Sequence, residues 1–474
     1  MRIALLMTTL LVLAGCARLP LGATPAPAAA PAAEARGGLP TGSIIYGAAP
    51  PMFGEQPLQS LTARLDDIKD LGTDALWLAP ICATDDMGAI SYATTDYKAL
   101  RPDYGSMADL KALVAGAHKR GIKVLLDFVP NHTSVGHPFY KDAAAKGPSS
   151  PYWNYYMRDG AGKPQHYFDW SNLINLNYGN PAVQALMTDA CSFWLKEAKV
   201  DGFRMDAAWG VKERTPTYWP QLRKALAAVK PGVFLLAEAG ARDPYYVANG
   251  FDAAYDWTEE LGHAAWEKVF DQPATAGDAL RKAMAGSKQA PDRVARFLAN
   301  NDTGDRFITR HGAAVQRVAA TLLLTMPGFP IIYNGDEVGA EFSPYADPPP
   351  INWDDPQHLR GVYRQLGGLR HQVPSLAHGA FTEIAVKGAP GVYAFTRDAG
   401  NGDVALVVLN FGGAATAELP LPKALLPFAT GGKLVDTLGA PNPPDAVDGV
   451  MKISLPATRA LVLVPFTDKA PLPR

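Results

Sequence analysis

One arrangement recurs along the chain: a helical stretch, a residue suited to a left-handed stop, then a short apolar run ending in polar residues. DDIKDLGTDALWLAPI, AHKRGIKVLLDFVPNH, LKEAKVDGFRMDAAWG and LAAVKPGVFLLAEAG all follow it. Glycine after a helix takes the left-handed conformation that other residues resist. The apolar runs show no clean alternation, as expected for strands covered on both faces of a parallel sheet. SIIYGAAP at Ser43, FDAAYDW at Phe251, RVARFLANND at Arg293 and GFPIIYNGDE at Gly328 add four more runs, with helical intervals between them. Eight such units predict an α/β fold, a (β/α)8 TIM barrel.

The spacing has one large interruption. After Asn131 and His132 the next clear helix, NPAVQALMTDACSFWLKEA, begins near Asn180. The stretch between, about 133–178, is rich in Tyr, Trp, Gly and Pro and reads as a short inserted subdomain after strand three. After Pro374 the helical pattern stops, and GVYAFTRD, DVALVVLNF and ALVLVPF are strand-like runs between turn signals. The expected organisation is therefore a barrel over 43–375 and a C-terminal all-β sandwich over 376–474. A chain of 474 residues, 48% hydrophobic and 19% charged, has the material for both cores. Its formal net charge of -2 gives no electrostatic footprint for a nucleic-acid partner.

The first residues, MRIALLMTTLLVLAGCARLP, read as a secretion signal, too short and wrongly flanked for a stable membrane span. Their end, Leu13-Ala14-Gly15-Cys16, resembles the bacterial lipoprotein signal, in which the cysteine is lipidated and becomes the mature N-terminus. The alternative is a plain signal peptide with a chance cysteine. On the first reading residues 1–15 are the signal and 16–42 a Pro/Ala-rich tether. The protein is then expected in a bacterial cell envelope, touching a membrane only through that lipid, at the outer membrane or facing the periplasm. Secretion to the periplasm is the expectation without the anchor. Cys82 and Cys191 read as buried thiols, although an oxidising periplasm would permit a bridge, and neither has metal-ligand spacing.

The charges fall in unusual places. VDGFRMDAAWG, Val200 to Gly210, sets Arg204 and Asp206 two residues apart in an apolar run. In a strand both point to one face, with Phe203 and Met205 on the other. Asp127, Glu238 and Asp302 also stand at the ends of strand candidates, with His132 just beyond the first of them. The C-terminal strand ends of such a barrel form one rim, where active sites are built. A buried charge without a partner is costly, so these groups are expected to converge.

The motifs resemble those of the α-amylase family of retaining glycoside hydrolases. DFVPNH, GFRMDAA, the Glu of LLAEA and FLANND are similar to four ordered family motifs, and LINLN to a fifth just past the insertion. SYATTDYKALRPDYG and IIYNGDEVG resemble two further family segments. The resemblance implies Asp206 as nucleophile, Glu238 as general acid/base and Asp302 as a group that holds sugar hydroxyls and stabilises the transition state. It implies that Arg204 orients Asp206 and keeps it ionised, as a nearby cation does for a carboxylate. Glu238 is expected to keep its proton in drier surroundings. His132 and Asn301 would bond the sugar, and Tyr92 would stack on it. Asp127 reads as a structural partner of neighbouring polar groups.

The chain departs from the family pattern twice. Trp209-Gly210 stand where Lys-His is usual, and that His belongs to a calcium site between barrel and subdomain. Asn131 stays as a possible ligand, and no required cofactor is expected. Asn301 replaces a usual His, keeping hydrogen bonding but no positive charge. The insertion adds Tyr152, Trp153, Tyr155, Tyr156, Tyr167, Phe168 and Trp170, one or two of which are expected to face substrate.

The expected function is hydrolysis of α-glucosidic bonds in malto-oligosaccharides or starch-like α-glucans. A transglycosylase or isomerase would use the same carboxylates. A glycan-binding relative without activity would have lost them.

Overall fold

The computed structural model describes residues 38–466 except 89, 258–262, 265, 286–290 and 343–349. Cys16, the leader and the tether up to residue 37 lie outside the described residues. All eight predicted strands form: β1 Ile45–Ala48, β2 Ala75–Leu78, β3 Lys123–Phe128, β4 Gly202–Met205, β5 Phe234–Gly240, β6 Ala253–Tyr255, β7 Val294–Arg296 and β8 Phe329–Tyr333. They are parallel and close into a barrel in the order β1-β8-β7-β6-β5-β4-β3-β2.

The lack of alternation in the sequence has the expected cause. Alternate residues of each strand face two different cores. Ile45, Trp77, Leu125, Phe234, Leu236, Tyr255, Phe329 and Ile331 fill the barrel. Tyr46, Leu76, Val124, Phe203, Met205 and Leu235 pack outward against the helices. The helix Met107–Lys119 shows the repeating unit well. A reciprocal cap between Ser106 and Asp109 starts it, and Gly121, at φ 70°, turns the chain into β3. The helix Pro181–Glu197 is started by Asn180, whose side chain accepts the Ala182 N–H. No glycine ends it; Lys199 takes the left-handed conformation instead, at φ 59°.

Between β3 and the helix Pro181–Glu197 lies a small three-stranded antiparallel sheet. Strand Trp170–Asn175 is its centre, flanked by His132–Ser134 and His166–Tyr167. The sheet thus starts four residues beyond Phe128, where β3 ends, and the Tyr178 hydroxyl donates to the Pro130 carbonyl at 2.8 Å. A second excursion, the paired strands Cys82–Thr84 and Thr94–Leu100, follows β2 and presents Tyr92 at the rim.

The last barrel helix, Arg360–Gln372, leads through the short helix Pro374–His378 into antiparallel structure. Strands β9 Ala380–Glu383, β10 Val392–Gly400, β11 Asp403–Asn410, β12 Ala415–Pro420, β13 Leu434–Asp436, β14 Val450–Leu455 and β15 Arg459–Pro465 follow. One sheet runs β9-β10-β11-β15-β13, and β12 pairs with β14. Leu406, Val408 and Leu463 of the first share a core with Ala417, Met451 and Ile453 of the second. Arg370 and Arg397, both buried, tie this unit to the barrel. Arg370 donates to the carbonyls of Gly42, Leu324, Met326, Leu376 and Gly328, and Arg397 to those of Thr325, Leu376 and Gly379. Among the described residues no helix is long and apolar enough to cross a membrane.

Candidate active site

Strands β3, β4 and β5 are neighbours, and their register places the charges. Asp127 of β3 lies opposite Arg204 of β4, and Leu236 of β5 lies on its other side. Asp206 and Glu238, each two residues further along, therefore meet at the C-terminal rim. The approach of β4 to β5 requires a bare backbone at Gly202, where a Cβ would stand 2.0 Å from the Phe234 carbonyl oxygen.

Arg204 is fully buried, and four carboxylates surround it. Its Nη1 donates to Asp127 Oδ1 and to Asp206 Oδ1, each at 2.9 Å. Its Nη2 forms an ion pair with Glu238 Oε1 at 2.9 Å and lies 3.8 Å from Asp302 Oδ2. Trp77, Tyr92 and Tyr255 turn ring faces to the guanidinium at 5.5, 5.7 and 5.5 Å. The cluster thus carries one cation for four acids.

A second line of contacts joins β3 to the loop after β7. The Tyr92 hydroxyl donates to Asp127 Oδ2 at 3.2 Å and accepts from Asn301 Nδ2 at 3.0 Å. Asn301 Nδ2 also donates to Asp302 Oδ1 at 3.1 Å, while the Asp302 amide is held by Asn300 Oδ1 at 2.9 Å. Asn301 therefore does by neutral hydrogen bonds what its place between a phenol and a carboxylate requires.

Arg204 favours the ionised form of Asp206, as the resemblance implies, but it does not act unopposed. Burial, and then the charge of Glu238, hold the Asp206 carboxyl well above the usual range, and Arg204 opposes them only in part. Asp127 is pushed up to about 7, first by burial, again against Arg204. The reason is arithmetic: one guanidinium cannot neutralise every acid that it touches, and burial disfavours the charged forms of Asp206 and Asp127. Glu238 is buried, as expected, but not isolated. Its Oε2 accepts the Ala207 amide at 2.7 Å, while Oε1 faces Arg204. Asp206 Oδ2 is buried and meets no hydrogen-bond partner among the described residues.

Ala207 adopts the left-handed conformation, φ 43° and ψ 42°, in a fully buried position. A side chain with a Cβ resists that geometry. The turn it makes between β4 and the helix Ala208–Arg214 aims the amide of Ala207 at Glu238.

His132 lies at the same rim. Its ring stacks on Tyr167, centroids 4.7 Å apart, and Nδ1 lies 3.0 Å from Asn131 Nδ2. An amide nitrogen only donates, so Nδ1 is the acceptor and Nε2 carries the hydrogen. Burial, then the charge of Arg214, pushes the His132 pKa down to about 3. Tyr167, Phe168, Trp170 and Trp209 form an aromatic surface beside it, with Tyr167 6.1 Å from Trp209 and Phe168 5.7 Å from it. Phe168 and Trp170 are 58% and 55% exposed, the state of rings awaiting a partner rather than packed in a core. Tyr152, Tyr155 and Tyr156 instead pack with Phe139 and Tyr140 inside the subdomain, and Trp153 lies under Arg158.

Asn131 is not placed as a metal ligand. Its Oδ1 and carbonyl oxygen both accept from Arg214 Nη2, the latter at 3.3 Å. Cys82 and Cys191 are buried free thiols.

Sequence reasoning missed Trp77, Tyr255, the Ala207 amide and Arg214. The two rings sit at inward positions of β2 and β6, and only the strand register reveals that they face Arg204. The Ala207 amide and Arg214 depend on how the chain turns after β4, which no motif records.

A model of the alpha-amylase catalytic domain matches residues 52–358. Alpha-amylase MalA of Haloarcula japonica is 32% identical over 372 residues, covering 76% of this chain and 53% of that protein. Neopullulanase 2 of Thermoactinomyces vulgaris is 27% identical over 398 residues, covering 77% of this chain and 64% of that protein. The chain thus spans less than two thirds of the length of either relative. The fold is similar to a crystal structure of an alpha-amylase from Geobacillus thermoleovorans complexed with acarbose, with a TM-score of 0.75 and 26% identity. That match covers 90% of this chain and 99% of the other.

The depressed pKa of His132 makes a prediction about stability. Between about pH 3 and 6.5 the native protein binds less of this proton than the unfolded chain does. The stability His132 contributes is therefore complete above pH 6.5 and is lost as pH falls towards 3. His132→Gln removes that titration. Its unfolding free energy should fall less steeply with acid over this window, by up to about 1.4 kcal/mol per pH unit. Denaturant melts of both proteins across the window measure it, and parallel curves would contradict the buried neutral ring.

Proposed function

This chain belongs to the alpha-amylase family, and on that premise we propose that it is a retaining glycoside hydrolase. Its substrates on this reading are malto-oligosaccharides or starch-like α-glucans, cleaved at α-glucosidic bonds. The observation that carries the reading is the pairing of Asp206 and Glu238 on the two ends of one buried guanidinium, at 2.9 Å each.

Asp206 is the nucleophile. Its Oδ1 is fixed by Arg204, and its Oδ2, with no hydrogen-bond partner among the described residues, is the oxygen left to attack the anomeric carbon. Glu238 gives its proton to the departing glycosidic oxygen, and a glycosyl–Asp206 ester forms as the C–O bond breaks. Water then attacks the anomeric carbon, displacing the Asp206 carboxylate as Glu238 takes a proton from the water, which restores both groups. A cluster with more acids than cations suits this cycle, because it must hold a proton for delivery while keeping one carboxylate ionised. Neighbouring strands hold the pair side by side, which favours direct attack over a water seated between. Asp302, joined to Tyr92 through Asn301, is placed to hold sugar hydroxyls. His132 offers Nε2–H to the sugar, and Tyr92 an aromatic face.

The exposed rings of Phe168 and Trp170 beside Trp209 favour one second reading. Aromatic faces suit the apolar faces of pyranose rings, and a platform here would hold an acceptor sugar as well as a leaving group. Transglycosylation by the same carboxylates is then a side reaction whose extent depends on water access. The short insertion suits oligosaccharides or cyclic dextrins, and cyclomaltodextrinases stand among the chain's relatives. At the other end of the chain, Cys16 is acylated and the tether over 16–42 holds the enzyme to the bacterial envelope. Ala17 is not the aspartate that would retain a lipoprotein at the inner membrane, which favours the outer one.

Three measurements test these readings. NMR of the hydrolysis of a malto-oligosaccharide should show the α-anomer first, and Asp206→Asn should lose at least about 10³-fold in turnover while keeping its circular dichroism. A first-formed β-anomer, or near wild-type turnover in the variant, would remove the assignment. For the anchor, Cys16→Ser should move the protein from the membrane to the soluble fraction. Unchanged fractionation would sink the lipoprotein reading.

A further inference from the structure

The family pattern places a calcium ion between barrel and subdomain, and the residues present here do not fit one. We propose that the guanidinium of Arg214 is the built-in cation of this junction, clamping Asn131 and through it positioning His132.

The helix Ala208–Arg214 leaves the site directly after β4 and carries Gly210 and Arg214 one turn apart, on the same face. Position 210 is where the family's ligand histidine would stand. A Cβ there would lie 2.5 Å from Asn131 Oδ1 and 3.6 Å from Arg214 Nη2. The bare glycine therefore leaves the room that the arginine fills from one turn further on. Arg214 Nη2 donates to Asn131 Oδ1 and to the Asn131 carbonyl oxygen at 3.3 Å. These are the two oxygens that a hard cation would seek at this residue.

The remaining groups of Asn131 are engaged as well. Its carbonyl oxygen also accepts the Leu176 amide at 3.0 Å, and Nδ2 reaches Asn175 Oδ1 at 3.3 Å and His132 Nδ1 at 3.0 Å. One arginine thus ties the helix after β4 to the end of β3 and to the returning strand of the subdomain. It also fixes the amide orientation of Asn131: with Oδ1 turned to Arg214, Nδ2 must face His132. That orientation makes Nδ1 an acceptor and sets Nε2–H towards the sugar. Among the described residues no group of three His, Cys, Asp or Glu side chains could hold a metal ion, and a dication here would meet a guanidinium in its place. Burial pushes the Arg214 pKa down to about 10, which leaves it charged at neutral pH.

Arg214 is accordingly a positioning residue, and the test combines metal content, melting and kinetics on the full chain. The wild type should hold no stoichiometric calcium by elemental analysis and should melt at the same temperature in EDTA and in millimolar calcium chloride. Arg214→Ala should melt about 2–4 °C lower. Its KM for maltoheptaose should rise about tenfold, with a smaller change in kcat, because His132 binds the sugar rather than carrying the reaction. Arg214→Lys keeps a charged donor and should recover at least half of both losses, and it carries the test should the alanine variant not fold. One tightly bound calcium in the wild type, with a melting temperature that chelation lowers and calcium restores, would overturn the proposal. So would an alanine variant with unchanged melting and KM, or a lysine variant no better than a folded alanine variant. Metal content and melting are read without substrate, so they stand whichever glucosidic bond the enzyme cleaves.

Discussion

A single buried guanidinium organises this protein's chemistry. Arg204 projects from β4 into a barrel otherwise filled by rings and aliphatic side chains, and Asp127, Asp206, Glu238 and Asp302 gather on it. Removing such a charge from water is costly, and only close, hydrogen-bonded partners offset the cost. The strand register supplies them, because inward positions at the C-terminal ends of β3, β4 and β5 cannot avoid one another. The barrel is therefore more than a support for the site. Its register determines which acids share the cation.

That sharing has consequences for ionisation. A private partner would hold Asp206 low; a shared one leaves both Asp206 and Asp127 raised. The cluster has fewer positive than negative groups, which suits the proposed retaining cycle. Arg214 plays a comparable part at the rim. It satisfies both oxygens of Asn131, and its charge helps to keep His132 neutral. Two arginines from one short stretch of chain, ten residues apart, thereby hold the acids of the rim and the His132 imidazole.

Much of this was legible in the sequence because it rests on local signals. Each of the eight apolar runs became a barrel strand, since runs bounded by helix stops and apolar on both faces have few alternatives. The two-residue spacing of Arg204 and Asp206 correctly placed both on one face. What stayed hidden depends on neighbours distant in sequence. Trp77 and Tyr255 face Arg204 from β2 and β6, yet each reads as an ordinary core ring. The loss of a histidine at Gly210 was visible, but its replacement by Arg214 was not, because the compensation lies one helical turn away. Strands β12 and β14 were not among the runs read from the sequence, and their pairing spans the intervening β13, which belongs to the other sheet. The groups that oppose Arg204 at Asp206 were hidden for a similar reason: the other acids that share the cation come from other strands.

The claim that Arg204 governs the ionisation of the reacting carboxylates is tested most directly by the acid limb of kcat/KM against pH. In Arg204→Gln the carboxylates keep their neighbours and lose their cation. An aryl maltoside with a good leaving group would keep residual turnover measurable. The limb should move up by about 1–3 pH units. A folded variant whose acid limb coincides with that of the wild type would show that the guanidinium does not set the charge of these acids.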